Sequence, residues 1–284
     1  LWILLAVFLI WTIFPLFWLV STSFKGDKEI LSNNELHLLP QQPTLQHYEN
    51  AFGKTHFGTY ISNSVKVTLI SSTLVLAAAI MGGYALARYQ FKGKKAIMVI
   101  MLASQMVPLI TAIIPMFVLY SKLQLIDTLA SLIITYTATN IPFCMITMSS
   151  FFTRIPVSLE EAAQIDGCNR FQSVVRVVLP VMLPSIVAVF VFAFTGCWNE
   201  LFYSIMMINS EKLRTIPAGL MNFVQKYDID WGQMSAAASV TLIPVVVMFF
   251  AVQKYIVAGL TAGSVKAPYK WVGGYATLFL ESLP

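Results

Sequence analysis

Residues 158–180 read SLEEAAQIDGCNRFQSVVRVVLP. They hold two helical turns of mixed charge, a glycine break and a second short amphipathic run, with strongly apolar sequence on both sides. That contrast points to the class of the chain. Of 284 residues, 57% are hydrophobic and 11% charged, with mean hydropathy +0.74. A soluble domain is roughly 45–50% apolar and about 25% charged, and so few charges cannot face so much apolar surface to water. The composition predicts an all-α polytopic membrane protein.

A membrane helix needs about 20 mostly apolar residues. Six stretches qualify, at residues 1–20, 61–87, 96–120, 129–152, 179–208 and 234–257. Pro108, Pro115, Pro142, Pro184 and Pro244 fall inside them, and neighbouring helices in a bundle can re-satisfy the backbone groups that such kinks free. Leu1 already stands in an apolar run, so the native N-terminus is expected to lie upstream; residues 1–20 read as a first span, not a signal peptide. Six crossings place Arg88, Lys92, Lys94, Lys95, Arg154, Arg170, Arg176, Lys254, Lys266 and Lys270 on one side, ten basic residues against seven on the other. Short loops rich in Lys and Arg near span ends stay inside, which predicts a cytoplasmic 158–180 segment and C-terminus. The net charge of +5 then reflects orientation and gives no reason to expect nucleic acid. A polar loop at 21–60 and a second at 209–233 lie outside. The first holds LLPQQPTLQHYENAF, an extended piece followed by a short helix. The three cysteines form no C-x-x-C pair and the three histidines share one loop without ligand spacing, so no metal site is expected.

Within 158–180, Pro156 sets the approach, Ser158 is an N-cap candidate and Glu161 three residues on completes a capping box. Leu159, Ala162, Ala163 and Ile165 form a small-residue face, and Asp166-Gly167 ends the helix. Phe171, Val174, Val175 and Val178 then alternate with Asn169, Arg170, Gln172 and Arg176 until Leu179-Pro180 opens the next span. Two readings stand: a helix lying under the bilayer, or a rigid lever seated on another protein. Lipid anchoring favours Leu, Phe or Trp, whereas an Ala-Ala face permits close approach of a partner backbone.

The stretch EEAAQIDGCNRFQSVVRVVLP resembles the cytoplasmic motif of binding-protein-dependent ABC importer permeases, E-A-A-x-x-x-G-x(9)-I-x-L-P. Glu161, Ala162, Ala163, Gly167, Leu179 and Pro180 match, with Val177 in place of Ile. The strings NSVKVTL from Asn63, GGYALARYQFKGKK from Gly82, CWNELFYSIMMI from Cys197, LRTIPAGLMNF from Leu213 and GLTAGSVK from Gly259 are similar to the carbohydrate branch, and to its maltose-type members in particular. The resemblance implies a type I importer permease fold with cytoplasmic coupling helices at about 158–178, inside a core of residues 61–257. It also implies a short C-terminal tail at 258–266; the continuation at 267–284 has no counterpart and reads as a fusion remnant or a lineage-specific extension.

By the same resemblance Glu161, Ala162, Ala163 and Gly167 form a knob docked in a cytoplasmic ATPase, with Asp166 and Arg170 as polar contacts and Ser158, Leu179 and Pro180 as framework. The tail residues Gly259, Gly263 and Lys266 reach toward the same ATPase or fray. Tyr227 and Trp231, in the outer loop, either face sugar at the binding protein or anchor at the interface. Glu200 stands inside a span, where a carboxylate needs a cavity or a partner; with Trp198 and Asn199 it lines the solute path or fixes helix packing. The partners implied are a second permease subunit, two ATPases and an extracytoplasmic sugar-binding protein, in a bacterial or archaeal plasma membrane.

No cofactor is expected on this chain. A P-loop needs G-x-x-x-x-G-K-[ST], and Gly93-Lys94-Lys95 lacks both the upstream glycine and the hydroxyl, so ATP and Mg²⁺ belong to the partner and the chain alone is no enzyme. The function expected is half of the pathway of a disaccharide or oligosaccharide importer. Alternatives are an importer for a glycerol-phosphate derivative, polyamine or phosphate, or a secondary transporter or membrane enzyme. The last two require buried charge that only Glu200 and Lys66 offer.

Overall fold

The computed structural model describes residues 1–32, 37–224 and 229–264, the side chains of 256–264 excepted. Helices appear in the order α1 (Trp2–Ser23), α2 (Asp27–Ile30), α3 (Gln46–Lys54), α4 (Phe57–Arg88), α5 (Lys94–Gln105), α6 (Leu109–Lys122) and α7 (Leu129–Arg154). Then come α8 (Ser158–Ile165), α9 (Arg170–Ser173), a π turn (Val174–Val178), α10 (Leu179–Val181), α11 (Leu183–Trp198), α12 (Phe202–Met207), α13 (Ile216–Leu220) and α14 (Trp231–Ser264). Four of them, α1, α4, α7 and α14, are long and apolar enough to cross a membrane, and two bent pairs raise the number to six.

The centre of the bundle is the α4–α7 pair. Along α4 the buried positions include Tyr60, Ser64, Val67, Ser71, Val75, Ala79, Gly83 and Leu86, three or four residues apart and so on one face. Most are small. In lipid, helix association rests on close packing of such faces, because the tails are as apolar as leucine. At Gly83 the approach leaves no room for a side chain: a Cβ there would lie 2.9 Å from both Met148 Cβ and the backbone nitrogen of Ser149. Val75, Ala79, Cys144, Met148, Phe152, Val178 and Met182 close one core around this contact, and Val67, Leu132, Tyr136, Cys197 and Met207 close another further along. Next, α11 packs across both helices, α14 lies against α11, and α1 lies against α14. The outer face of α1, Trp2 and Trp11 included, is exposed.

Two spans expected to be continuous are not. The third breaks between α5 and α6 with a bend of 101°, because Pro108 has no N–H to donate and its ring disfavours helix at Val107. In the fifth, the chain turns by 79° at Met182 before α11, whose first turn carries Pro184. The same span stops at Trp198, ten residues short of the expected end. By contrast, Pro115, Pro142 and Pro244 sit inside helices that run through them. At the C-terminal end α14 continues through Ser264, so Gly259 and Gly263, expected in a separate tail, are helical; no proline lies between Pro244 and Pro268.

At the bundle end opposite α8, loops are pinned to α4 and α7 by polar bonds. Asn63 Nδ2 donates to the carbonyls of Lys212 (2.9 Å) and Arg214 (3.1 Å), and Ser64 Oγ accepts from Ile216 N at 2.7 Å. Asp127, before α7, accepts from the backbone N–H groups of Asn209 (3.0 Å) and Ser210 (2.8 Å) and from the Ser210 hydroxyl. The Ser210 hydroxyl above all, with these amides, holds the Asp127 carboxyl below its ordinary value.

Two outcomes follow from these contacts. Gly83→Val drives a side chain into Met148 and the Ser149 backbone, and the melting temperature in detergent falls by an amount equivalent to about 1–3 kcal/mol. For Asp127 the folded-state pKa is depressed, so its contribution is present above the unfolded carboxyl pKa and is lost as pH falls through the lower folded value. Amide exchange at Asn209 and Ser210 should therefore rise on acidification below the ordinary Asp range, and in Asp127→Asn that pH dependence should vanish.

Candidate coupling site

The candidate site is the α8–α9 hairpin. Contrary to the expected capping box, Ser158 is already helical: Val157 has φ −63°, ψ −29°, and no side chain caps the helix. Leu159 and Glu160 donate to the carbonyls of Pro156 and Val157. Pro156, with its fixed φ, has nucleated the turn earlier, and a residue in helical φ/ψ cannot fold its hydroxyl back onto the first N–H groups. Glu161 is thereby released from capping and is exposed. The other end conforms to expectation. Gly167 takes φ +89°, Cys168 N donates to Ala163 O at 3.0 Å and Gly167 N to Gln164 O at 3.1 Å, the two bonds of a Schellman stop. A capping box does occur, one element later, between Asn169 and Gln172 at the start of α9.

What fixes the hairpin is Glu160, the neighbour of the motif glutamate. It is 4% exposed, accepts from Arg88 Nε at 2.6 Å and from Tyr84 OH at 2.8 Å, while Arg88 Nη2 donates to Ile155 O at 2.9 Å. The last turn of α4 is therefore clasped to the α7–α8 corner. Arg170 adds an exposed tie, with Nη1 3.1 Å from Tyr89 OH and its guanidinium 5.5 Å from the ring centroid. Of the expected knob, Glu161, Ala162, Asp166, Gly167 and Arg170 are exposed; Ala163 is buried at 6% and faces its own chain. Ile165 and Phe171 stand out instead, 87% and 76% exposed. Leu179 is half-buried beside the α4–α7 core and Pro180 exposed in α10. The π turn at 174–178 joins this knob to α11.

The other candidate residues lie elsewhere. Trp198 is 2% exposed and stacks on Phe194 at 5.7 Å, so it has no ring face open to a solute in this conformation. Asn199 is exposed. Glu200 lies in the break after α11, its carboxylate oxygens 3.1 Å from Tyr203 N and the nearer one 3.4 Å from Ser204 N; it serves the first turn of α12. Trp231, half exposed, opens α14 and borders a cavity of about 480 Å³ with Trp18 and Lys25. Tyr227 and Lys266, like the 267–284 extension, lie outside the described residues.

Residues 75–262, which include the hairpin and its anchor, match the model of the family described as binding-protein-dependent transport system inner membrane component. The chain belongs to this family. It is 39% identical over 266 residues to the inner membrane ABC transporter permease protein YcjP of Escherichia coli (strain K12), covering 92% of this chain and 94% of the relative. It is 34% identical over 261 residues to the diacetylchitobiose uptake system permease protein DasC of Streptomyces coelicolor, again covering 92% and 94%. Among solved structures, a bacterial ABC transporter involved in import of the acidic polysaccharide alginate matches with TM-score 0.78 at 22% identity, covering 89% of this chain and 94% of that one; it shares the fold.

In this permease the role of Glu160 escaped the sequence reading because Glu160 and Glu161 look alike in the string. The available signal was spacing, since Glu160 and Ala163 are three apart and share the inward face. Removing one member of a buried pair costs about 3–5 kcal/mol. Glu160→Ala should lower thermal stability by that order and expose the 155–170 segment to limited proteolysis. Glu161→Ala should leave both unchanged, and Arg88→Met added to Glu160→Met should restore most of the loss.

Proposed function

We propose that the protein is one permease subunit of an ATP-driven importer for a disaccharide or oligosaccharide. The carrying observation is a knob with an exposed tip of Glu161, Ala162, Ile165, Asp166 and Phe171, anchored to α4 through Glu160 and Arg88. A tip so exposed and so firmly attached suits transmission of force, since a push on α8 moves α4 and, through the π turn, α11. We place this end and the C-terminus in the cytoplasm by the Lys and Arg near span ends. The knob would seat on an ATPase subunit that binds ATP and Mg²⁺; a second permease subunit would complete the path, and an extracytoplasmic binding protein would deliver solute. Closure of the ATPases then opens the spans outward, and hydrolysis resets them. The sugar assignment rests on the carbohydrate-branch strings and on the diacetylchitobiose relative.

The test is reconstitution of the complete complex in proteoliposomes with labelled N,N′-diacetylchitobiose and maltose. Wild type should show ATP-dependent uptake that requires the binding protein. Gly167→Pro and Glu161→Lys should reduce uptake by about tenfold or more, on the order of 1.4 kcal/mol, with the subunits still assembled in the membrane. Wild-type uptake in both variants would remove the coupling role, and sugar uptake without any ATPase subunit would remove the importer reading.

A further inference from the structure

The turn between α4 and α5 gathers positive charge without an acidic partner. Lys92, Lys94 and Lys95 crowd into this one turn, and the chain carries no Asp or Glu between Glu49 and Asp127. Among the described residues none of the three lysines makes an ion pair. Lys92 and Lys95 are exposed and Lys94 is half-buried, with Lys94 Nζ 3.3 Å from Tyr89 O. The turn itself is fixed. Tyr89 N donates to Ala85 O at 3.1 Å, Lys94 N to Phe91 O at 3.3 Å and Ile97 N to Gly93 O at 2.9 Å, and Gly93 takes φ +93° where the chain reverses. The acids at this end of the bundle, Glu160, Glu161 and Asp166, belong to the α8 hairpin, and Glu160 is held by Arg88.

Depth decides what meets this charge. α4 ends at Arg88 and α5 begins at Lys94, and each belongs to a candidate span, so the turn lies where hydrocarbon gives way to headgroups. Lys94, Ile97 and Ile100 are three apart and share one face of α5. Both isoleucines are exposed, at 39% and 66%. Tyr89, a residue type that gathers at membrane surfaces, and Phe91 are exposed beside the lysines. Lysine stems lie on apolar surface while their ammonium groups reach the polar layer, and a compact ammonium is a good point charge for a phosphate. A water-soluble partner would reach the ammonium groups but not the isoleucines at hydrocarbon depth. A molecule that meets both has an anionic head and apolar chains.

We propose that Lys92, Lys94 and Lys95 bind the phosphate of an anionic phospholipid whose chains lie along Ile97 and Ile100. The site adjoins the coupling hairpin through Tyr89, whose carbonyl accepts from Lys94 Nζ and whose hydroxyl accepts from Arg170 Nη1 at 3.1 Å. A headgroup held here therefore borders the joint between α4 and α8. The site does not depend on the imported solute, and the orientation proposed above puts it in the cytoplasmic leaflet.

The experiment places the complete complex in phosphatidylcholine nanodiscs doped with a phosphatidylglycerol that carries a photoactivatable group on its chain, or with a phosphatidylcholine that carries the same group. Cross-linked peptides are mapped by mass spectrometry. Both leaflets contain the probe, so the result is independent of orientation. In the wild type, the glycerol lipid should label the 95–105 segment about tenfold more than the choline lipid, while the exposed α1 segment takes up both equally. Lys92→Gln, Lys94→Gln and Lys95→Gln combined should bring the glycerol lipid down to the choline level, and Arg at the same three positions should keep the preference. Equal labelling of 95–105 by the two lipids in the wild type would overturn the site, and so would a preference that survives the triple Gln variant. No labelling of α5 by either lipid would show that protein covers this face, and would also overturn it. The wild-type comparison decides the matter even where the triple variant does not assemble. Failure of sugar uptake would strike the importer reading and leave this comparison untouched.

Discussion

The close contact between α4 and α7 is the constraint on which the remaining structure depends. Small residues at three- and four-residue spacing bring the two backbones together, to the point that Gly83 has no room for a methyl group beside Met148 and Ser149. A membrane protein cannot rely on expulsion of water to hold helices together, so close fit has to supply the cohesion. Once the pair is fixed, α11 has a surface to cross and α14 and α1 follow outward in sequence. The two ends of α4 then become attachment points, one for the α8–α9 hairpin and the other for the loops around α12 and α13.

These two attachments differ in chemistry. At the hairpin end an ion pair is buried, with Glu160 held by Arg88 and Tyr84, and the geometry of an exposed knob is determined by groups that themselves stay inside. At the opposite end the ties are mostly side chain to backbone, through Asn63, Ser64 and Asp127. A buried pair tolerates little displacement before its partners are left uncompensated, which suits a joint that must move as a unit. Backbone bonds from single side chains permit smaller, separable adjustments at the loops.

The broken spans follow a related logic. Breaks at Pro108 and Met182 turn two spans, and the break after Trp198 leaves Glu200 to receive the amides of α12. Irregular backbone at membrane depth survives only where protein or water meets its polar groups. Asn199, the C-cap of α11, stands exposed beside that break, while the Asn140 amide on α7 donates to Tyr136 O within its own helix.

The sequence by itself determined the all-helical membrane class, the number of candidate spans and the position of the E-A-A-type motif, because composition and apolar run length are properties of the string. It also determined the stop at Gly167, since only a residue without a Cβ is at ease at φ +89°. It did not determine which of two adjacent glutamates is the anchor: that depends on the rotation of α8, set when Pro156 starts the turn before Ser158. Nor did it reveal which prolines break a span: Pro108 does and Pro115 does not, although each removes the same backbone donor. Trp198 looked suited to a sugar until the fold placed it against Phe194, and Phe143 and Phe192 became a pair only when α7 and α11 came together. Those are contacts between distant segments, and their geometry exists only in the packed bundle.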